Sequence, residues 1–146
     1  MLRGNHPVKM DEKGRIKVPS TFRRYIEEHY GAEFYVTSLK GERALLYPMP
    51  EWLKIEEKLK SQGTQTPLVR RFLDRTNYYG QTAEMDQQGR ILIHPMLRSA
   101  AGLAGDLAVL GYLQYIEVWA EDKFRSRLES HPITDDDEAE ISRLIA

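Results

Sequence analysis

A chain of 146 residues is one ordinary domain long, or two very small modules fused. A domain of roughly 150 residues buries about 70% of the surface its unfolded chain exposes, so it folds without metal or disulfide staples. Twenty-one Lys and Arg against twenty-two Asp and Glu leave a formal charge of −1, which excludes a wholly basic binder but not local patches, and the absence of cysteine excludes thiol catalysis, disulfides and Cys-ligated metal centres.

The N-terminal residues Met1 to Met10 carry charge with no apolar run behind them, so they do not read as a secretory signal. Pro7 to Met10 is predicted as a short strand running into a turn at Asp11 to Gly14. Aspartate heading such a turn accepts a backbone N–H two residues on, and glycine at its close tolerates positive φ. Arg15 to Val18 follows as a strand rich in β-branched residues. Pro19 opens a short helix with Phe22 and Ile26 on one side, and Gly31 stops it. Glu33 to Ser38 and Arg43 to Tyr47 form a hairpin. Glu51 to Ser61 is a helix with Trp52, Ile55 and Leu59 in a stripe, and Thr66-Pro67 caps and starts another that carries Leu68, Val69, Phe72 and Leu73.

The same programme then repeats. Thr82 to Met85 is a strand, Asp86 to Gly89 a turn, Arg90 to Ile93 a strand, and Pro95 opens a helix that Gly102 ends. Leu107 to Leu110 pairs with Tyr115 to Trp119, and helices follow over Asp122 to Ser130 and Thr134 to Ile145. Thr134 with Asp137 resembles a capping box, and Asp135, Asp136 and Asp137 suit a positive helix N-terminus, so this acidic run reads as capping and solvated surface rather than a metal site. The longest mostly apolar segment, Leu103 to Leu113, is broken by Gly105, Asp106 and Gly111, short of the roughly 18 apolar residues a membrane helix needs. A soluble, cytoplasmic protein is expected.

This parallel is an internal repeat. Met10-Asp-Glu-Lys-Gly-Arg-Ile-Lys-Val18 returns as Met85-Asp-Gln-Gln-Gly-Arg-Ile-Leu-Ile93, 75 residues on, and Phe22-Arg23 falls opposite Leu97-Arg98 at the same spacing. The offset slips to 73 where Glu33 to Val36 faces Asp106 to Val109, and to 72 where Tyr47 faces Trp119 and Trp52 faces Phe124. Such slips are what loop deletions between elements of constant length produce. Each half alone is too small to bury its sheet, so two interleaved copies are expected to make one closed β-barrel with approximate two-fold symmetry. The fold class is therefore α+β and β-rich, from two repeats each followed by helices. The division is 1–52 (first repeat), 53–80 (helical connection), 81–124 (second repeat) and 125–146 (C-terminal helical segment).

Charge is uneven along the chain. Residues 1–24 hold seven Lys and Arg against Asp11 and Glu12, whereas residues 125–146 hold three arginines against six acids. Lys and Arg displace the counterions condensed on nucleic-acid phosphates. Arginine also offers a planar fork that bridges guanine O6 and N7, and a two-stranded ribbon fits a major groove, so arginines at the end of a hairpin are geometrically suited to reading bases. The competing structural role is an Asp11–Arg15 pair that pins the turn.

Met1-Leu-Arg-Gly4, the paired D-x-x-x-R motifs (Asp11 to Arg15 and Asp86 to Arg90) and Leu46-Tyr-Pro-Met-Pro-Glu-Trp52 together resemble the bacterial MraZ family of tandem AbrB-like (SpoVT/AbrB) swapped-hairpin domains. The resemblance spans essentially the whole chain, with Leu2 where an aromatic is common. It implies a transcriptional regulator that binds short repeated sites in double-stranded promoter DNA, among them those of its own division and cell-wall gene cluster; head-to-tail neighbours in a ring would make those sites tandem, and occlusion of the promoter would make the regulator a repressor. It also implies a ring-shaped homo-oligomer and nucleoid association. Carried over by position, Arg15 and Arg90 are the DNA-binding arginines, with Asp11, Gly14, Asp86 and Gly89 supporting the turns. Arg3 and Lys13 are added for their charge and proximity in sequence. Gln87 and Gln88 replace Glu12 and Lys13 in the second motif, so the two halves are not equivalent.

No enzyme is expected, and no cofactor, metal or small-molecule substrate. The duplicated aspartates lack the D-T-G or D-S-G context of an acid-protease dyad, and neighbouring arginines favour both staying ionised. No G-x-x-x-x-G-K-[ST], G-x-S-x-G or H-E-x-x-H occurs, and His6, His29, His94 and His131 lack ligand spacing. The alternative function is a ring-forming protein-interaction or assembly module with incidental DNA affinity.

Overall fold

The structure is a computed structural model describing residues 1–63 and 66–146. The first half of the chain forms β1 (Leu2–Lys9), β2 (Arg15–Lys17), α1 (Ser20–His29), β3 (Glu33–Thr37), β4 (Ala44–Pro48), α2 (Met49–Gln62) and α3 (Pro67–Tyr78). The second forms β5 (Gln81–Glu84), β6 (Arg90–Leu92), α4 (Pro95–Ala101), β7 (Asp106–Leu113), β8 (Ile116–Ala120), α5 (Glu121–Ser130) and α6 (Asp135–Ile145). Each predicted element is found, with ends that move by a few residues.

Strand pairing interleaves the two halves. A six-stranded antiparallel sheet runs β1-β7-β8-β4-β3-β5, and β2 pairs with β6 in a separate two-stranded ribbon. Exchanging the halves maps this order onto its own reverse: β1 on β7 becomes β5 on β3, while β4–β8 and β2–β6 map onto themselves. The leading strand of each half thus pairs with the hairpin of the other.

The fold is α+β, but the expected closed barrel is not formed. β1 and β5 remain edges of the six-stranded sheet. The strands that would bridge them, β2 and β6, are three residues each, and they already pair with one another. Pro19 and Pro95 then turn the chain into helix, so no ladder is left to join the edges.

The core lies between this sheet and a layer made of the ribbon, α1 and α4. Its residues come as repeat partners: Ile16 with Ile91, Phe22 with Leu97, Ile26 with Ala101, Val36 with Val109, and Leu46 with Val118, all buried. The other face of the sheet is covered by α2, α3 and α5. There Trp52 stacks on Tyr35 at 4.7 Å, and Trp119 meets Phe124 at 5.4 Å. Glu117 is buried in this layer. It accepts hydrogen bonds from Tyr115 Oη (2.8 Å) and Trp119 Nε1 (2.9 Å) and pairs with Arg43 at 3.0 Å.

Two strands run longer than expected. β1 begins at Leu2, which is fully buried, and tolerates Pro7 because β1 is an edge strand. Its added length carries β7 through Gly111, paired with Gly4, where a Cβ would run into the Leu2–Arg3 backbone. The capping box of α6 is present, Asp137 N–H to Thr134 Oγ1 and Thr134 N–H to Asp137 Oδ2, both 3.1 Å. Among the described residues, no helix is long and apolar enough to cross a membrane.

Candidate functional site

The two D-x-x-x-R segments fold into turns with the same hydrogen-bond pattern. Asp11 Oδ1 accepts the backbone N–H of Lys13 and of Arg15, both at 2.9 Å, and Asp11 Oδ2 accepts Arg15 Nε at 2.8 Å. Asp86 does the same for Gln88, Arg90 and Arg90 Nε, each at 2.9 Å. The backbone closes both turns, Gly14 N–H to Asp11 O and Gly89 N–H to Asp86 O. The N–H groups of Arg15 and Arg90 are the largest reason that the Asp11 and Asp86 carboxyls sit below their ordinary 3.8; desolvation opposes them, and the guanidinium partners add to the lowering. Each aspartate stays ionised and fixes its arginine by one edge, leaving the two terminal NH₂ groups of the fork for another acceptor.

Arg15 and Arg90 are not at the tip of a hairpin, because the strands around each turn pair elsewhere. They lie on the ribbon between the halves, whose register sets Arg15 opposite Leu92, Ile16 opposite Ile91, and Lys17 opposite Arg90. Side chains alternate across a strand. Ile16 and Ile91 are buried, so Arg15, Lys17, Arg90 and Leu92 occupy the outer face. The two motif arginines are diagonal neighbours, roughly 7–8 Å apart at Cα. Lys17 lies outside the D-x-x-x-R motif, and no local pattern marks it. It faces Arg90 directly, a like-charge cross-strand pair whose repulsion the Asp86 carboxylate on Arg90 Nε offsets only in part.

Each turn is closed by a residue from the other half. A Cβ on Gly14 would collide with the Arg98 guanidinium of α4, and a Cβ on Gly89 would lie 2.9 Å from Arg23 Cδ of α1. Arg23 Nη2 donates to Gln87 O at 2.8 Å, while its Nε lies 3.1 Å from Glu27 at an angle too poor for a hydrogen bond. Gly14 and Gly89 have φ of +84° and +77°, and both are buried. Ile93 N–H to Gly14 O and Val18 N–H to Gly89 O bind each turn to the opposite strand. Arg23 and Arg98 fell opposite one another in the repeat, which was the only signal in the sequence that they share a role.

Of the other predicted residues, Lys13 is exposed at the first turn, where its place in the second motif is taken by exposed Gln88. Arg3 lies at the opposite end of β1 from the turn, paired with Tyr112 and bordering a surface depression with His6, Thr21 and Phe22. It is not brought to the ribbon face with the others. Among the described residues, no group of three or more His, Asp or Glu is arranged to hold a metal ion.

Comparison with known proteins accords with this two-part architecture. The family model described as "MraZ protein, putative antitoxin-like" matches residues 1–75 and again 80–144. The protein named Transcriptional regulator MraZ of Acidobacterium capsulatum is 46% identical over 142 residues, 97% of this chain and 97% of that one. Its namesake in Koribacter versatilis is 46% identical over 145 residues, 99% of each chain, and that of Tolumonas auensis 35% over 130 residues, 88% of this chain and 86% of the other. With both halves matched, and relatives aligned along nearly the whole length, this chain belongs to the MraZ family.

Proposed function

We propose that the protein is a sequence-specific DNA-binding transcriptional regulator, a repressor of its own division and cell-wall gene cluster, acting in the cytoplasm at the nucleoid. The name shared by its relatives supports the class. The observation that carries the mechanism is the outer face of the β2–β6 ribbon, where Arg15, Lys17 and Arg90 crowd together and Lys17 stands opposite Arg90. Asp11 and Asp86 offset part of that positive charge through Arg15 and Arg90, and phosphate balances what remains. A ribbon of this kind enters a major groove, with the free fork ends of Arg15 and Arg90 toward base edges and Lys13 and Lys17 toward phosphates. Arg3 is assigned to backbone contact beyond the footprint of the ribbon.

A single subunit makes few such contacts. A ring of copies repeats them, and linked sites raise avidity by roughly 10²–10⁴. Head-to-tail neighbours favour tandem rather than inverted DNA repeats, spaced about 10 base pairs apart to stay on one face of the duplex. In this reading residues 1–52 and 81–124 are the two AbrB-like swapped-hairpin repeats, 53–80 their helical connection and 125–146 a C-terminal helical segment.

The test is selection of bound sites from random DNA with the parent, Arg15→Ala and Arg90→Ala. The parent should prefer its sites over random duplex by at least about 10³ and weaken steeply with salt. Arg15→Ala should lose the preference and keep its assembly state. Equal grip on scrambled and upstream DNA would instead select the assembly module, the reading that the exposed apolar surface of α6 favours.

A further inference from the structure

Among the described residues, the C-terminal helix has no packing partner in its own chain. Every residue from 125 to 146 is exposed, yet α6 is a helix of 11 residues with a complete capping box. Isolated helices of that length are marginal in water, and most helical stability in proteins comes from packing an apolar face. Such a face is present: Ile141, Leu144 and Ile145 form an i, i+3, i+4 stripe, with Leu144 70% and Ile145 79% exposed. The rest of α6 is acidic, five Asp and Glu against Arg143 alone. Asp137 and Glu138 lie one turn before Ile141 on the same face.

A matching surface lies on α3. Leu39, Leu68 and Phe72 floor a shallow groove whose rim is Lys40, Arg71 and Arg75. Leu68 is 69% exposed. Asp74, the one acid of α3, is paired with Arg70 at 3.0 Å and does not line the groove. Apolar floor meets apolar stripe, and cationic rim meets acidic flank.

We infer that α6 of one copy seats its Ile141, Leu144 and Ile145 stripe in the α3 groove of a second copy, with Asp137 and Glu138 against the Lys40, Arg71 and Arg75 rim. Pairing α6 with α6 would bring acid against acid, which complementarity disfavours. Two copies that exchanged α6 reciprocally would stop at a dimer; seated in one direction only, the contact is heterologous and propagates head to tail until rotation closes it into a ring. The inference rests on the assembly half of the proposed function and is independent of the DNA-reading half.

The absence of native cysteine permits a clean test. Leu68→Cys chains mixed with Leu144→Cys chains should, on oxidation, give a covalent dimer whose bridge mass spectrometry assigns to positions 68 and 144. One chain carrying both substitutions should give a ladder of multimers on a non-reducing gel. An intrachain bridge alone, a bridge only between two positions 144, or a double variant that stops at the covalent dimer overturns the inference. Leu144→Glu, at an exposed site, should keep the parent's circular dichroism and reduce the mass in light scattering to the 17.0 kDa single chain. If that variant assembles as the parent does, this surface is wrong and the ring stands. If the parent is itself a 17.0 kDa monomer, both fall.

Discussion

Gly14→Ala is the sharpest probe of how the two halves hold each other's turns. The substitution places a Cβ at φ +84°, a conformation that costs an L-residue about 1–2 kcal/mol. It also drives that Cβ into the Arg98 guanidinium, the end of a flexible side chain, so the added strain falls at the low end of overpacking, about 1 kcal/mol. The sum is about 2–3 kcal/mol. For a domain of this size each kcal/mol lowers Tm by roughly 2–4 °C, so thermal unfolding should move down by about 4–12 °C. The diagnostic is the double-mutant cycle with Arg98→Ala. Removing the guanidinium should recover about 1 kcal/mol in the Gly14→Ala background that it does not supply in the parent. Additive effects in urea unfolding, or a single-variant loss below about 0.5 kcal/mol, would refute the cross-half clasp.

Lys17→Ala should lower DNA affinity by a similar factor on every sequence and reduce the salt slope by about one counterion, readable by titration at several ionic strengths. Glu117→Gln should cost about 1–3 kcal/mol in chemical unfolding, because Tyr115 Oη and Trp119 Nε1 lose a charged acceptor while Arg43 keeps Glu42 at 2.8 Å. His94, buried with Nε2–H on Tyr79 O at 2.7 Å, is held below its ordinary 6.5 by desolvation, partly offset by that bond, and further by Arg98. The unfolded chain therefore binds the proton first, and stability present above pH 6.5 should fall as the pH drops toward the folded value. His94→Gln should flatten that limb of the pH–stability curve. A second loss, below about 3.8, should follow as Asp11 and Asp86 are forced to protonate, and Asp11→Asn should shrink it.

Whatever depends on neighbours in the chain is legible in the order of residues alone. Asp11 and Asp86 reach backbone N–H groups two and four residues on, Thr134 closes its box with Asp137, and the glycine and proline positions mark the turns and helix starts. These contacts span a few residues, so one local pattern suffices, and its recurrence 75 residues later announced a second copy.

Which half pairs with which is set by long-range packing and not by local pattern. The same apolar alternation serves a strand whether its partner is adjacent or a hundred residues away, as with Leu2 opposite Leu113. That choice converted an expected closed barrel into a sheet with two edges plus a ribbon, and put Arg15 and Arg90 on one face while leaving Arg3 elsewhere. It likewise set Arg98 over Gly14 and Arg23 over Gly89. Such contacts arise from burying both apolar faces at once, and neither half can do that alone. For this reason no reading of one half on its own contains them.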